Sequence, residues 1–165
     1  MPMRFMMLVL LCCFAAAVSS CDDQSSATSP DSEGGILVGS LRGGGVVFSV
    51  RRDSAGQQHG LIVSTVNMSG GADWEMAKRQ CLDFTGGGYD DWYLPDKSEL
   101  KMLYDSREPV NSALVTISGS TSLKGVFWSS TEFSSASAWR FSFLTGGETH
   151  YIKDGTHDVR AVRRF

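Results

Sequence analysis

The sequence predicts an α+β domain in which short antiparallel strands lie outside two central helices, and three observations support this fold class. Residues 46–50 and 61–66 are β-branched and apolar and flank a polar stretch, as the strands of a β-hairpin do. Helical apolar spacing with N-capping residues occurs in the middle of the chain. Short strand-like segments follow, so helices and strands are segregated along the sequence rather than alternating.

The first helix is expected to begin after Asp73, whose short carboxylate side chain suits an N-cap. Four residues at helical spacing would form its buried stripe: Trp74, Ala77, Cys81 and Phe84. The glycine run at residues 86–88 should end this helix, because glycine is a poor helix former.

The second helix is expected directly after the Leu94-Pro95 pair. Asp96 and Glu99 have the spacing of a capping box, in which each side chain accepts a hydrogen bond from the other residue's backbone amide. Leu100 and the apolar residues one turn later would supply the inner face of the helix.

The C-terminal part of the chain has the pattern of short strands. We expect them at residues 126–129, 138–144, 149–153 and 159–165. Trp139, Phe141 and Phe143 alternate with Arg140 and Ser142, a period of two that predicts one buried face. Glycine-containing turns separate these segments, as is usual between antiparallel strands.

The N-terminus has the layout of a signal peptide, which we assign to residues 1–20. Arg4 precedes an apolar run at residues 5–14, and small residues follow at 15–20. The apolar run is shorter than the roughly 20 residues that a transmembrane helix needs. We therefore expect this segment to be removed after export rather than to remain as a membrane anchor.

Cys21 is the predicted site of lipid attachment. Residues 18–21, Val-Ser-Ser-Cys, resemble the bacterial lipobox, in which the cysteine receives diacylglycerol. Several acyl chains would anchor the protein stably to membrane lipid. The alternative is an ordinary secretory signal, which would leave Cys21 as an exposed free thiol.

The residues that follow Cys21 bear on which membrane of the cell envelope holds the protein. Asp22 and Asp23 resemble either an inner-membrane retention signal or part of a surface-export signal. We expect a lipid-anchored protein of the bacterial cell envelope, at the outer membrane or cell surface rather than at the inner membrane.

Composition divides the remaining chain into a tether at residues 21–35 and one domain at 36–165. The tether is dominated by Ser, Asp and Gly, whereas apolar residues recur throughout the domain. Without residues 1–20 the chain has 14 basic and 18 acidic side chains, a formal charge of −4, which argues against a nucleic-acid partner. Cys81 is then the one cysteine of the domain, so no internal disulfide is expected.

A set of motifs is similar to the DUF1566 family, also called the Legionella collagen-like protein C-terminal domain family. They are residues 45–50 (GVVFSV), 59–63 (HGLIV), Trp74 with Ala77 and Cys81, 91–95 (DWYLP), 99–100 (EL), 103–104 (LY), 127–132 (FWSSTE), 138–139 (AW) and 159–163 (VRAVR). The resemblance covers residues of about 43–165. Its specificity comes from the order and spacing of the motifs.

The resemblance implies a fold similar to C-type lectins and formylglycine-generating enzymes, mostly in cell-envelope proteins. The namesake of the family is an adhesin that binds sulfated glycans. The resemblance therefore implies a C-type-lectin-like domain whose ligand is a glycan or an envelope protein.

Five residues are candidates for ligand binding: Trp128, Glu132, Arg140, Lys153 and Arg160. Trp128 and Glu132 flank a serine-rich segment, and loops of this kind often carry binding residues. A buried Trp128 held by loop hydroxyls is the alternative. The other three tryptophans, Trp74, Trp92 and Trp139, are interpreted as core.

Binding of a sulfated glycan would require several basic side chains close together. Arg140, Lys153, Arg160, Arg163 and Arg164 fall on predicted strands, where guanidinium groups could bind sulfate. However, Arg160 and Arg163 lie three positions apart and would face opposite sides of a strand. A single basic patch is therefore not expected.

Metal and enzyme sites are not indicated, and we expect no cofactor. The Glu-Pro-Asn and Trp-Asn-Asp motifs of calcium-dependent lectins do not occur, and the three histidines lack metal-ligand spacing. A formylglycine-generating oxidase needs two cysteines for copper, whereas Cys81 stands alone. The glycine run at residues 43–45 fits the start of a strand better than a phosphate loop.

The function favoured by the sequence is a non-catalytic envelope lipoprotein whose lectin-like domain binds a glycan or other ligand in adhesion. Two alternatives remain open. One is a structural or assembly component of a surface organelle or envelope complex. The other is an enzyme of formylglycine-generating-like fold.

Lipidation of Cys21 can be tested by growing cells that express the chain with radiolabelled palmitate. The wild-type chain and a Cys81→Ala control should incorporate label, whereas Cys21→Ala should not, because diacylglycerol is attached to the thiol of that residue. Label retained by Cys21→Ala would contradict the prediction.

Overall fold

The computed structural model describes residues 35–68 and 70–165. The signal peptide, Cys21 and all but the last residue of the predicted tether lie outside the described residues. Residues Gly35–Phe165 form one compact unit. In chain order its strands and helices are β1 (Leu41–Arg42), β2 (Gly45–Arg52), β3 (Gln58–Ser64), α1 (Trp74–Leu82), α2 (Lys97–Asp105), α3 (Arg107–Leu114), β4 (Val126–Ser134), β5 (Ser137–Ser142), β6 (Glu148–Ile152) and β7 (Val162–Arg164).

The mixed α+β class is confirmed: the described residues form helices and two antiparallel sheets. One sheet has the order β1-β2-β3-β7, and the other has the order β4-β5-β6. The hairpin expected around residues 46–66 is present as β2 and β3, with a register shift between Val47 and Ser49. The final predicted strand is shorter than expected, because only Val162–Arg164 pair along β3.

The glycine run before β2 forms a tight turn. Gly43 and Gly44 both have positive φ, at 50° and 80°, a conformation that favours glycine. A Cβ atom on Gly44 would lie 2.5 Å from the carbonyl oxygen of Gly86. The turn therefore allows two backbone segments to touch, and it leads into a strand as the sequence predicted.

Two hydrogen bonds between the side chain of Gln58 and the backbone of Ile36 fix where the chain joins the first sheet. The Ile36 amide donates to Gln58 Oε1 at 2.8 Å, and Gln58 Nε2 donates to the Ile36 carbonyl at 3.1 Å. The primary amide of Gln58 thus pairs with the backbone of residue 36 as a neighbouring strand would. This contact holds the start of the domain against the first residue of β3.

Both predicted helix starts are confirmed. The Asp73 carboxylate accepts a hydrogen bond from the Met76 amide at 2.8 Å and caps α1. At α2, Asp96 accepts from the Glu99 amide at 2.8 Å, and Glu99 accepts from the Asp96 amide at 3.0 Å. These reciprocal bonds complete the capping box and satisfy amides that would otherwise lack a helical partner.

The expectation of two helices was incomplete, because α3 follows α2 across Ser106. Only Val110 and Leu114 of α3 are buried, so its sequence shows a single apolar i, i+4 pair and no longer periodicity. Pro109 is tolerated because it lies in the first turn, where its missing amide has no helical acceptor. The glycines at 86–88 were expected to end α1, but the helix already ends at Leu82, before Phe84, and the glycines form a separate short 3₁₀ helix.

The helices cover both sides of the two sheets. One core cluster lies on the side of α1 and includes Val47, Ile62, Trp74, Ala77, Cys81, Trp128 and Ala138. The other lies on the side of α2 and α3 and includes Val46, Val63, Leu100, Leu103, Val110, Leu114, Phe127 and Phe141. Neighbouring residues of β2, β3 and β4 therefore enter different clusters, as the alternation of a strand requires.

The buried face predicted for the strand at residues 138–144 is only partly correct. Phe141 and Phe143 are buried, but Trp139 is half-exposed. Trp139 does share a face with Phe141, since the two are separated by one residue on β5. That face is covered at Phe141 by Tyr104 of α2, whose ring centroid lies 5.3 Å away. Trp139 lies near the N-terminal end of α2, where the ammonium of its first residue, Lys97, is over the ring.

Replacing the cap of α2 should destabilise the domain. Asp96→Ala removes the acceptor for the Glu99 amide, and we expect the free energy of unfolding to fall by about 1 kcal/mol. Chemical denaturation measures this change. The matched control is Asp90→Ala, which removes an exposed carboxylate that caps no helix. Equal effects of the two substitutions would contradict the assignment.

Candidate ligand-binding surfaces

Trp128 is in the core, so its prediction as a ligand-binding residue was wrong. Its side chain is 0% exposed, and the indole N–H donates to the Ala72 carbonyl at 2.8 Å. The ring packs edge-on against His157, with centroids 4.7 Å apart. Trp128 lies opposite Arg140 on β5, on the face that α1 covers. The alternative interpretation, a structural tryptophan, is the correct one.

Arg160 is also buried, and its prediction as a ligand-binding residue was wrong. The side chain is 1% exposed and donates to Asn67 Oδ1 and Thr121 Oγ1, both at 2.6 Å, and to the Thr121 carbonyl at 2.9 Å. Burial lowers the pKa of the guanidinium to about 9. Arg160 therefore joins two loops that are distant in the sequence.

Glu132 and Lys153 lie together and form an ion pair. The Lys153 ammonium also donates to the Ser135 carbonyl at 3.0 Å and lies 4.4 Å from the centroid of the Trp74 ring. Its charge is thus shared by a carboxylate, a carbonyl and an aromatic face. These contacts tie the end of β4 to the residue after β6 and to α1.

Arg140 is bound within the domain as well. Its guanidinium donates to His157 Nε2 at 2.7 Å and to Thr149 Oγ1 at 3.2 Å, and it lies 4.3 Å from the centroid of the Tyr151 ring. Burial, and then the charge of Arg140, lowers the pKa of His157 to about 4. His157 is therefore neutral near neutral pH, which leaves Nε2 free to accept.

The C-terminal arginines do not form a shared basic patch, as their spacing predicted. Arg163 makes a two-pronged ion pair with Asp91, at 2.6 and 3.0 Å, and its guanidinium lowers the pKa of that carboxyl group. Arg164 donates to Glu99 at 2.9 Å. With Arg160 bound elsewhere, each of the three arginines has its own partners.

Sequence reasoning missed a group of uncovered rings on the second sheet, which we call the aromatic patch: Phe133, Trp139 and His150. Phe133 and His150 are stacked, with centroids 3.9 Å apart and planes 2° apart. Trp139 meets both rings edge-on. Phe133 is 51% exposed although it is a large apolar side chain.

Charged groups lie at the rim of the aromatic patch. Lys97 Nζ is 4.2 Å from the centroid of the Trp139 ring and 3.3 Å from the Glu148 carboxylate. Ile152, 58% exposed, belongs to the same face of the sheet, since it follows His150 by two residues. The patch is thus an apolar surface bordered by a hydrogen-bond donor and an acceptor.

A cleft of about 480 Å³ lies beside the first turn of α2, on the side of this turn that faces away from the aromatic patch. Its lining residues are Ser49, Arg51, His59, Gly60, Leu61, Asp96, Ser98, Glu99, Met102, Arg164 and Phe165. A Cβ atom on Gly60 would lie 2.7 Å from the Phe165 ring, so this glycine lets the ring lie across β3. The cleft is therefore formed by residues of β2, β3 and β7 together with the first turns of α2.

The deepest charged group of the cleft is Glu99, which is 4% exposed. Its carboxylate accepts from the Tyr93 hydroxyl at 2.7 Å, the Asp96 amide at 3.0 Å and the Arg164 guanidinium at 2.9 Å. Burial and the hydrogen bond to Glu99 raise the pKa of Tyr93. The Tyr93 hydroxyl therefore stays protonated and acts as the donor.

Cys81 is unsuited to nucleophilic chemistry. It is a free, fully buried thiol in α1, and burial raises its pKa to about 12. Within residues 35–68 and 70–165, no three His, Cys, Asp or Glu side chains come close enough together to hold a metal ion. Nor is any helix in these ranges long and apolar enough to cross a membrane.

A family model, the Lcl C-terminal domain, matches residues 52–163, which is more than half of the chain. The chain belongs to this family. The match runs from the last residue of β2 into β7, so it includes β3, all three helices and the second sheet, whereas β1 and most of β2 lie outside it. Comparison with curated proteins gives no match.

The Lcl C-terminal domain match covers the two surfaces to different extents. All of the aromatic patch falls within it. Four residues that line the cleft fall outside it: Ser49, Arg51, Arg164 and Phe165. The cleft therefore depends in part on positions that the family model does not include.

His157 should make the stability of the domain depend on pH. Its pKa is lowered from the ordinary 6.5 to about 4, so between these values only the unfolded chain takes up the proton. The free energy of unfolding should thus fall as the pH decreases from 6.5 to 4, by on the order of 1 kcal/mol because the ring is partly exposed.

Denaturation of wild type and His157→Gln across this pH range measures the contribution. Glutamine can still accept from Arg140, but it does not titrate, so the slope should be shallower in the variant. Above the ordinary histidine pKa the two slopes should agree. An unchanged slope between these two pKa values would refute the assignment.

Proposed function

We propose that the chain is a non-catalytic, lipid-anchored protein of the cell envelope whose domain, of C-type-lectin-like fold, binds a glycan through the aromatic patch. The observation that carries this proposal is the set of rings that α2 leaves uncovered on the second sheet. Phe133, which is 51% exposed, keeps one ring face on His150 and has room for a ligand on the other.

The chemistry of the aromatic patch suits a sugar. Contiguous exposed apolar surface is unfavourable in water and commonly marks a binding site. A pyranose has an apolar face that can lie flat on an aromatic ring, and hydroxyl groups around its edge. Lys97 can donate to those hydroxyls and Glu148 can accept from them, because both lie at the rim.

Binding without catalysis is supported by how the reactive groups are arranged. The Cys81 thiol is buried and protonated, and the His157 imidazole is held by Arg140. His59 pairs with Asp53 at 2.9 Å on the first sheet, and His150 stacks on Phe133 on the second. The described histidines therefore do not converge on one reaction centre.

The proposed location rests on the sequence of the N-terminus. A signal peptide at residues 1–20 and lipid on Cys21 would place the domain at the outer membrane or cell surface, with membrane lipid as one partner. The family match is consistent with a surface protein domain. The domain would then be positioned to meet glycans outside the cell.

A second candidate function, assembly with other envelope proteins, is favoured by strand β6. All five of its residues, Glu148–Ile152, are exposed, and it forms an edge of the second sheet. It contains neither lysine nor proline, which commonly protect edge strands from pairing. An extended segment of a partner protein could add to this edge.

The glycan proposal predicts that purified chain binds a restricted set of glycans on an array. Phe133→Ser should weaken binding about tenfold or more, since it removes the stacking surface. Val115→Ser is the matched control, because Val115 is an exposed apolar residue of similar chemistry at the end of α3, outside the patch. It should bind as wild type does.

Two outcomes would contradict glycan binding at the aromatic patch. Unchanged glycan binding by Phe133→Ser would show that the aromatic patch is not the binding site. Absence of glycan binding, together with envelope proteins that co-purify with wild type, would favour assembly instead.

A further inference from the structure

The cleft beside α2 is separate from the aromatic patch and plays no part in the proposed glycan binding. Lys97 points to the patch, whereas its neighbours Asp96 and Ser98 line the cleft. The cleft is concave, and its volume of about 480 Å³ falls within the range of small-molecule sites. The cleft is therefore a second, independent candidate site.

Strand register places two arginines on the same side of the cleft. Arg51 of β2 is paired with His59 of β3, and Leu61 of β3 is paired with Arg164 of β7. Directly paired residues share a face, as do His59 and Leu61, which are two positions apart. Arg51 and Arg164 thus flank the cleft from the two strands on either side of β3.

The acidic groups of the cleft are already occupied. Glu99 accepts hydrogen bonds from three donors, as described above. Asp96 Oδ1 accepts from the Glu99 amide at 2.8 Å and from the Ser98 hydroxyl at 2.6 Å. Its charge also lies at the N-terminus of α2, where a carboxylate stabilises the helix. Neither carboxylate needs a ligand cation.

Positively charged donors remain available. The Arg164 side chain is 72% exposed and uses one of its five N–H groups, in the bond to Glu99. Arg51 is exposed and has no hydrogen-bond or ion-pair partner among the described residues. Among the described residues, the positive charge of Arg51 in the cleft is thus not paired with a carboxylate.

The rest of the lining is apolar. Leu61, Met102 and Phe165 contribute side chains from β3, α2 and the residue after β7. An occupant of the cleft would therefore meet arginine donors at one side and hydrocarbon surface at the other. This combination suits a molecule with one anionic group and an apolar body.

We propose that the cleft binds a small organic carboxylate. The carboxylate lies between Arg51 and Arg164, whose planar guanidinium groups match its two oxygens. The apolar body packs on Leu61, Met102 and Phe165. A monoanion fits better than a phosphate dianion, because one lining cation, Arg51, lacks a carboxylate partner.

The test uses the purified full chain and isothermal titration with phenylacetate as the probe. Its uncharged counterpart, 2-phenylethanol, reports on the apolar contribution alone, and inorganic phosphate reports on general anion binding. Phenylacetate should bind saturably, with an affinity higher than that of either comparison compound. Absence of saturable binding, or equal binding of phosphate, overturns the proposal.

Variants locate the site. Arg51→Gln should weaken phenylacetate binding about tenfold, because a hydrogen bond to a charged group is lost. Arg52→Gln is the matched control: it removes the same charge from the next residue of β2, which does not line the cleft. It should bind as wild type does, and equal weakening by both variants would show a general charge effect and overturn the site.

Arg164→Lys provides a second variant that keeps a positive charge beside Glu99. It should fold, as judged by its thermal unfolding midpoint, and bind phenylacetate more weakly than wild type, since lysine lacks the planar pair of donors. Wild-type affinity in both Arg51→Gln and Arg164→Lys would exclude the arginines from the site.

Discussion

The position of α2 depends on one buried carboxylate, that of Glu99. It closes the capping box with Asp96 at the start of the helix, and it also binds the Tyr93 hydroxyl and the Arg164 guanidinium. The helix is thereby attached to the segment before it and to β7 of the first sheet. A buried carboxylate without these donors would be costly, so the three elements must come together around it.

Both candidate surfaces follow from where α2 begins. On the second sheet, the helix covers Phe141 but not Trp139, so the aromatic patch is left open beyond Lys97. On the first sheet, the same turn forms a wall of the cleft through Asp96 and Ser98. A helix one turn longer at its N-terminus would alter both surfaces at once.

Local patterns predicted the fold class, the helix starts and the β2–β3 hairpin, because caps and strand periodicity involve residues close in sequence. The exposure of Trp139 could not be predicted, since it depends on how far α2 extends over the sheet, and the first residue of that helix, Lys97, is distant from Trp139 in the sequence. Arg160 was misassigned for a similar reason: its partner Thr121 is 39 positions away. The cleft was missed because its residues come from β2, β3, α2 and β7.

The pairing of Gln58 with Ile36 has a mechanical consequence. Any tension transmitted along the chain that precedes residue 36 reaches the domain at the first residue of β3. From there it is borne by the backbone bonds of β3 to both β2 and β7, which act side by side. A ligand bound to the second sheet would apply the opposing force there. The tension between the two points would then pass through the packed core between the sheets.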